Sequence, residues 1–149
     1  MANQKKGSEI IAVLENIPAQ DLTTATYNST TWVKADKFQR YMGVFNGGAL
    51  AASAVLDFSL VQATTSTGTS SKAIANCTAT QLGAADDNKQ IIINCTVADL
   101  DLANSFDFIG LEITTVATAA LGAAILYGLY PFDGPASDND HADVDEIVN

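Results

Sequence analysis

The sequence is poor in charge, aromatic rings and histidine, and each shortage excludes a class of protein. Charged residues make up 16% of the chain and aromatic residues 7%, against roughly 25% charged residues in an average globular protein. The single histidine, His141, lies near the C-terminus, so a serine or cysteine nucleophile paired with histidine is nearly excluded. No glycine-rich phosphate loop and no zinc-protease motif occurs either. We therefore predict a protein that is not an enzyme and binds no cofactor.

Cysteine is scarce and long apolar runs are nearly absent. Cys77 and Cys95 form no Cys-x-x-Cys pair, and we expect two buried free thiols, with a cross-strand disulfide as the alternative. One uncharged run, residues 113–132, has the length of a membrane span. Threonines and glycines interrupt it, and Glu112 and Asp133 flank it. It is interpreted as two buried strands joined by a small-residue turn, so no membrane partner is expected.

Basic residues are few and unevenly placed. Seven oppose 17 acidic residues, for a net charge of −10, which argues against nucleic acid as a partner. Residues 1–41 hold five basic and four acidic side chains, whereas residues 42–149 hold two basic and 13 acidic ones. Six acids fall in the last 17 residues. We predict an N-terminal arm over 1–19, a folded domain over 20–132 and an acidic, mobile tail over 133–149.

Alternating apolar residues are what the chain does have, and they predict strands. The segments 52–62, 90–97 and 106–115 alternate between apolar and other side chains. Residues 121–130 form a further strand, with Leu121, Ile125, Tyr127 and Leu129 on one side. Asn46-Gly47-Gly48 has the composition of a turn.

Short strands at spacings of about ten residues predict an all-β, antiparallel β-sandwich of the jelly-roll or immunoglobulin-like type. The extended N-terminal arm and the acidic tail would flank it. Alanine occurs 24 times and glycine 10 times. At inward positions these small residues would let the two sheets approach closely.

Acidic turns raise the question of a metal site. Asp86-Asp87-Asn88 and the pair Asp99 and Asp101 are rich in oxygen, the ligand that calcium prefers. We expect solvated turn carboxylates and no metal site. A calcium- or carbohydrate-binding sandwich module remains an alternative function.

Two segments near the N-terminus are candidates for an interface. Most of residues 9–16 are apolar and could pair with the sheet edge of a partner. Trp32, the only tryptophan, is either a buried core anchor or an anchor of a subunit contact. The small basic cluster after it could meet the acidic tail of a neighbouring copy. The predicted interface residues are Ile10, Ile11, Val13, Leu14, Trp32, Lys34, Lys37 and Arg40.

Three groups of residues also carry a family resemblance. They are Thr31-Trp32-Val33 with 38–41, residues 60–64 with Gly68-Thr69 and 72–74, and Gln81-Leu82 with 85–90. Together they resemble small β-rich virion proteins of tailed bacteriophages, typically encoded close to the major capsid protein, over about residues 20–130. These motifs mark turns and strand starts and include no catalytic residue.

The resemblance implies a capsid decoration (cement) protein, made in the host cytoplasm and bound to the major capsid protein on the outer surface of the capsid. It would be a homo-oligomer, with a trimer favoured. A protein of the head–tail region or of the tail is the alternative within the virion.

Overall fold

Two antiparallel sheets pack face to face in the computed structural model, which describes residues 5–116 and 120–148. Sheet A has the strand order β1-β10-β4-β8, and sheet B has the order β2-β9-β5-β6, with β3 on β9 and β7 on β5. The strands are β1 Ile11–Leu22, β2 Ala25–Asn28, β3 Val33–Lys34, β4 Phe38–Leu50, β5 Val55–Ala63, β6 Lys72–Thr78, β7 Leu82–Gly83, β8 Gln90–Thr96, β9 Phe108–Val116 and β10 Ala120–Pro131. A short helix α1 spans Gly7–Ile10, and 3₁₀ helices span Val97–Asp99, Leu102–Asn104 and Ala136–Asn139.

The pairing of the longer strands is that of one long hairpin rolled into a sandwich. Strand β1 pairs with β10, β2 with β9, β4 with β8, and β5 with β6. Strand β10 also pairs with β4, and β9 with β5, which completes the two sheets. This nesting of first with last is the topology of a jelly roll. The predicted antiparallel sandwich is therefore confirmed, and of its two variants the jelly roll is the correct one.

The strand segments predicted from alternation are confirmed. In β8, Ile93 and Cys95 are buried, whereas Ile92 on the other face is 61% exposed. In β9, Ile109, Leu111 and Ile113 are all completely buried. The uncharged run 113–132 contains the end of β9 and all of β10, as predicted. Its expected turn falls on residues 117–119, outside the described residues. No helix of the described chain is long and apolar enough to cross a membrane.

Small inward residues on β10 leave room for aromatic rings from β4. A Cβ atom on Gly128 would lie 2.6 Å from the ring of Phe38, and one on Gly122 would lie 2.7 Å from the ring of Phe45. Both rings are almost completely buried. The sheets also approach closely at Gly43, where a Cβ atom would lie 2.6 Å from Leu60 of sheet B. The predicted role of small residues in the core is therefore found on both β4 and β10.

The turn predicted at Asn46-Gly47-Gly48 is wrong, because β4 runs straight through these residues to Leu50. Their glycines serve a close approach instead of a chain reversal. A Cβ atom on Gly48 would lie 2.9 Å from the Cβ atom of Leu121, and one on Gly47 would lie 3.0 Å from the carbonyl oxygen of Lys89. Glycine is common in turns, but here it is required because the neighbouring strands leave no room for a side chain.

The predicted N-terminal arm differs from the structure over residues 11–19, which belong to β1. Ala12, Leu14 and Ile17 are buried, and the strand pairs with β10 from Ile11 to Leu22. Burial of these side chains within the same chain removes the apolar surface that an exchanged arm would offer. Residues 1–4 lie outside the described part.

The acidic tail also differs from the predicted mobile segment. Ala136 is completely buried, and the 3₁₀ helix Ala136–Asn139 packs on β1, β10 and α1. The backbone N–H of His141 donates to the carbonyl oxygen of Val13 at 2.6 Å, and the N–H of Val13 donates to Asp140 Oδ1 at 2.7 Å. The tail therefore covers part of the outer edge of β1, which would otherwise leave these backbone groups unpaired.

Cys77 and Cys95 are buried free thiols, as predicted. The Cys77 thiol on β6 donates to the carbonyl oxygen of Asn94 on β8 at 3.6 Å, next to Cys95 in the chain. Burial raises the pKa of both thiols above the ordinary value.

The close packing of β10 predicts that Gly128→Ala destabilises the fold. The new methyl group would collide with Phe38 and Leu14, and overpacking of this kind costs about 1–3 kcal/mol. The measurement is the free energy of unfolding from urea titration. Gly83→Ala is the matched control, because nothing lies within 4 Å of the added Cβ atom there. Equal stabilities for the two variants would contradict the packing described for β10.

The buried thiols predict slow modification of the folded chain. Because the thiolate is the reactive form and burial raises both pKa values, a disulfide reagent at pH 8 is expected to modify the folded chain more slowly than the unfolded chain. Two thiols should react per chain after unfolding in guanidinium chloride. Rapid reaction of either thiol in the folded state would show that it is accessible.

Candidate interaction surface

Two of the predicted interface residues belong to the interior, so their assignment to an interface is corrected. Leu14 and Trp32 are each 6% exposed. The Trp32 ring packs with Val61 and Ala63 in a small cluster on the outer side of sheet B. Gly110 permits this packing, because a Cβ atom there would lie 2.8 Å from the ring. A ring held this way has no free surface for a partner.

The basic cluster lies against groups of its own chain. Lys34 Nζ is 3.9 Å from Asp36 and 3.8 Å from Asp107, with both ion pairs exposed to solvent. Lys37 Nζ donates to Asn139 Oδ1 in the tail at 2.9 Å. The contact expected between a basic cluster and the tail of a neighbouring copy is therefore made within one chain at Lys37.

A buried carboxylate that sequence reasoning did not single out fastens the tail to β1. Glu15 is completely buried and accepts hydrogen bonds from the backbone N–H and the hydroxyl of Thr31. Its Oε1 atom also lies 3.5 Å from Nε2 of His141. The sequence did offer one sign of this role, since Glu15 is an acidic residue inside the mostly apolar run 9–16. A bulge in β1 turns its side chain toward the interior.

The chemistry of this cluster is structural. The Thr31 hydroxyl donates to Glu15, and within the described residues no hydrogen bond joins it to His141. A nucleophile activated by histidine would need that second hydrogen bond. The arrangement instead joins three segments: β1, the loop before β3, and the tail.

Exposed large side chains gather at one end of sheet A. We call this group the end surface and define it as Ile11, Lys37, Arg40, Tyr130 and Phe132. Ile11 and Arg40 stand on either side of Leu129 in the sheet, and the N–H of Phe132 donates to the carbonyl oxygen of Lys37 at 3.0 Å. Phe132 is 61% exposed and Tyr130 is 50% exposed.

The backbone at Tyr130 explains why the aromatic residues point outward. Its φ is 56°, in the left-handed region that a bulky residue rarely adopts. This conformation comes just before β10 ends at Pro131, which pairs with Phe38. The chain therefore leaves the sheet with Tyr130 and Phe132 turned to solvent.

Three of the predicted interface residues, Ile11, Lys37 and Arg40, meet at the end surface. Arg40 is exposed and makes no ion pair within residues 5–116 and 120–148. Ile10 and Val13 are half-buried beside this end, at the close of α1 and in β1. Sequence reasoning missed Tyr130 and Phe132, since a residue pattern does not show which strand end projects from the fold.

The acidic turns use their carboxylates to hold the chain. Asp86 accepts from the N–H of Gly83 at 2.9 Å, Asp87 from Leu50 at 2.6 Å, and Asp99 from Thr96 at 2.7 Å. Hydrogen bonds from Lys72 and Asn104 lower the pKa of Asp101. In the part of the chain that the structure describes, no three His, Cys, Asp or Glu residues form a group that could hold a metal ion.

Comparison with known proteins finds weak likenesses to two viral structures. The coat protein of Tobacco streak virus aligns over 92% of this chain and 96% of its own, with a TM-score of 0.35 and 11% identity. The VP2 subviral particle of infectious bursal disease virus aligns over 83% of this chain and 39% of its own, with a TM-score of 0.20 and 12% identity. No family model and no curated protein matches the chain. The fold assignment rests on the strand pairings of this chain and not on these likenesses, whose TM-scores are below 0.5.

The buried junction predicts that Glu15→Ala loosens the tail. Removing the carboxylate leaves the donors of Thr31 and the ring of His141 without their partner, at a cost of about 1–3 kcal/mol. Urea titration gives the change in stability, and limited proteolysis within residues 133–149 gives the release of the tail. Glu146→Ala, at an exposed glutamate of the same tail, is the matched control. If Glu15→Ala and Glu146→Ala had the same stability and the same rate of tail cleavage, Glu15 would not be what holds the tail.

Proposed function

We propose that this chain is a structural protein of a virion, a capsid decoration protein that binds the major capsid protein on the outer surface of a phage head. The observation that carries the proposal is the end surface, which presents two exposed aromatic side chains beside Ile11 and Arg40. The residue types at this surface and its place on a rigid fold each support the proposal.

The residue types at the end surface are those that dominate protein interfaces. Tyrosine and arginine are enriched among the residues that contribute most to binding. Exposed aromatic side chains grouped beside an arginine are typical of an interaction site, whereas apolar residues scattered singly over a surface need no explanation. Only Pro131 separates Tyr130 from Phe132 in the chain, and both aromatic residues share this group with Arg40.

The jelly roll suits this role, although the fold alone does not decide it. Capsid proteins, lectins and cupins all use jelly rolls, so the function has to come from the surface. An end surface on a tightly packed sandwich loses little conformational entropy when it binds. A protein present in many copies on a shell benefits from that rigidity.

The charges around the end surface are of both signs. Lys37 and Arg40 belong to it, and Asp36, Asp133 and Asp138 line a depression together with Lys37 and Phe132. Such a mixed rim can meet charges of either sign on a partner. Ile10 and Val13 flank this contact in the proposal, and Leu14 and Trp32 take no part in it.

Capsid binding is tested by co-sedimentation. Capsids of the phage that encodes this chain, assembled without it, are mixed with the purified chain and pelleted through sucrose. The unmodified chain is expected in the pellet at a fixed ratio to the capsid protein. The double variant Tyr130→Ala and Phe132→Ala is expected to bind at least about 30-fold more weakly, as for loss of an interface anchor.

The control is Val116→Ala, which removes a 50% exposed valine at the end of β9 in sheet B. Equal binding by Val116→Ala and the unmodified chain is expected. Absence of the chain from purified virions would overturn the proposed function. Binding that the double variant retains would assign the capsid contact to another surface.

A further inference from the structure

The outer face of sheet A is an apolar surface that the fold itself does not use. Strand alternation turns Val44, Ile92, Leu121, Ile125, Tyr127 and Leu129 away from the core. Ile92 is 61% exposed and Leu121 is 46% exposed. The register joins the central ones into a row, since Ile125 pairs with Val44 and Val44 pairs with Ile92.

This face is nearly free of charge in a chain whose net charge is −10. Asp21, which pairs with Leu121, stands at one end, and Arg40, which pairs with Leu129, stands at the other. Between these ends the strand residues that point outward carry no carboxylate, and Asp143 of the tail lies at the β1 edge, where its Oδ2 atom accepts from Asn16. Two copies of an acidic protein repel each other, and the central strands of this face are a place where they can meet without opposing carboxylates.

The two ends of the face differ in side-chain size. Toward Leu121 an open depression is lined by small residues that include Ala19, Gly47 and Ala123, and by Asp21. Toward Leu129 lies the larger, half-buried ring of Tyr127. Tyr127 and Ala123 are each two residues from Ile125 along β10, so the ring and the depression lie at equal distances from that residue.

We propose that this face binds a second copy of the chain, with the two sheets packed face to face and their strands antiparallel. A two-fold axis beside Ile125 places Tyr127 of one copy over Ala123 of the other, and the reverse contact follows from the symmetry. Such an isologous contact uses one surface on both subunits, as in most homodimers. The Tyr127 ring of each copy then fills the depression around Ala123 of the other.

The size of the face is sufficient for such a pair. Four strands spaced about 4.8 Å apart and nine residues at about 3.4 Å each give a face of about 600 Å². Two such faces bury about 1,200 Å² in total, which is the lower end of the range for specific protein interfaces. The dimer is therefore expected to dissociate on dilution.

Sedimentation equilibrium of the purified chain, without capsids, tests the pairing. The unmodified chain is expected to show twice the mass of 15.6 kDa at tens of micromolar. Ile92→Asp is expected to raise the dissociation constant at least about tenfold, since it places a carboxylate against the same residue row of the other copy. Ile92 is exposed, so this variant should keep its fold, which circular dichroism checks.

Val116→Asp is the matched control, because Val116 is 50% exposed on β9 of sheet B, away from this face. It is expected to leave the dissociation constant unchanged. A monomer at 200 μM, a trimer, or a dimer that Ile92→Asp does not weaken would each overturn the proposal. The experiment contains no capsid, so its result is independent of the proposed virion role and also tests the trimer expected from the sequence.

Discussion

The volume of the side chains on β10 is the constraint on which the rest of the structure depends. Gly122 and Gly128 face the interior, and the rings of Phe45 and Phe38 from β4 occupy the space above them. The same alternation along β10 sends Ile125 and the other large side chains to the outer face. A closely packed core and an apolar outer face are thus two consequences of one pattern, because successive side chains of a strand point to opposite sides.

Strand β10 lies between β4 and β1, so the pairing of the first strand with the last supplies its second neighbour. Strand β1 is the edge of sheet A beyond β10, and the tail returns to cover part of that edge. Glu15 joins these segments, since it is buried beside Thr31 and His141. A buried carboxylate is tolerated only where it is fully hydrogen-bonded. The junction therefore holds only when the ends of the chain have come together.

Short-range pattern predicted the elements of this fold well, and long-range contacts limited the rest. The alternation of apolar residues was sufficient to predict β8 and β9, because within these strands the burial of a side chain depends on which face of the sheet it points to. It was insufficient for Gly48, where the reason for glycine is Leu121, over 70 residues away in the chain. The contact of the tail with β1 was not predicted for the same reason, since its partner Val13 lies near the other terminus. At the candidate site, sequence reasoning found Arg40 and Ile11 from composition, but the exposure of Tyr130 and Phe132 depends on how β10 ends.

The end surface and the outer face of sheet A border each other at the Leu129 row, and their geometry links the two proposals. In an antiparallel pair of sheets, the Leu129 end of one copy lies over the Leu121 end of the other. The two end surfaces of a dimer would therefore point in opposite directions, separated by about one sheet length, or roughly 30 Å. Two surfaces that face opposite ways cannot both contact one convex shell, so pairing adds no avidity on a single capsid. One end surface of a bound dimer would contact the capsid, and the other would point away from it.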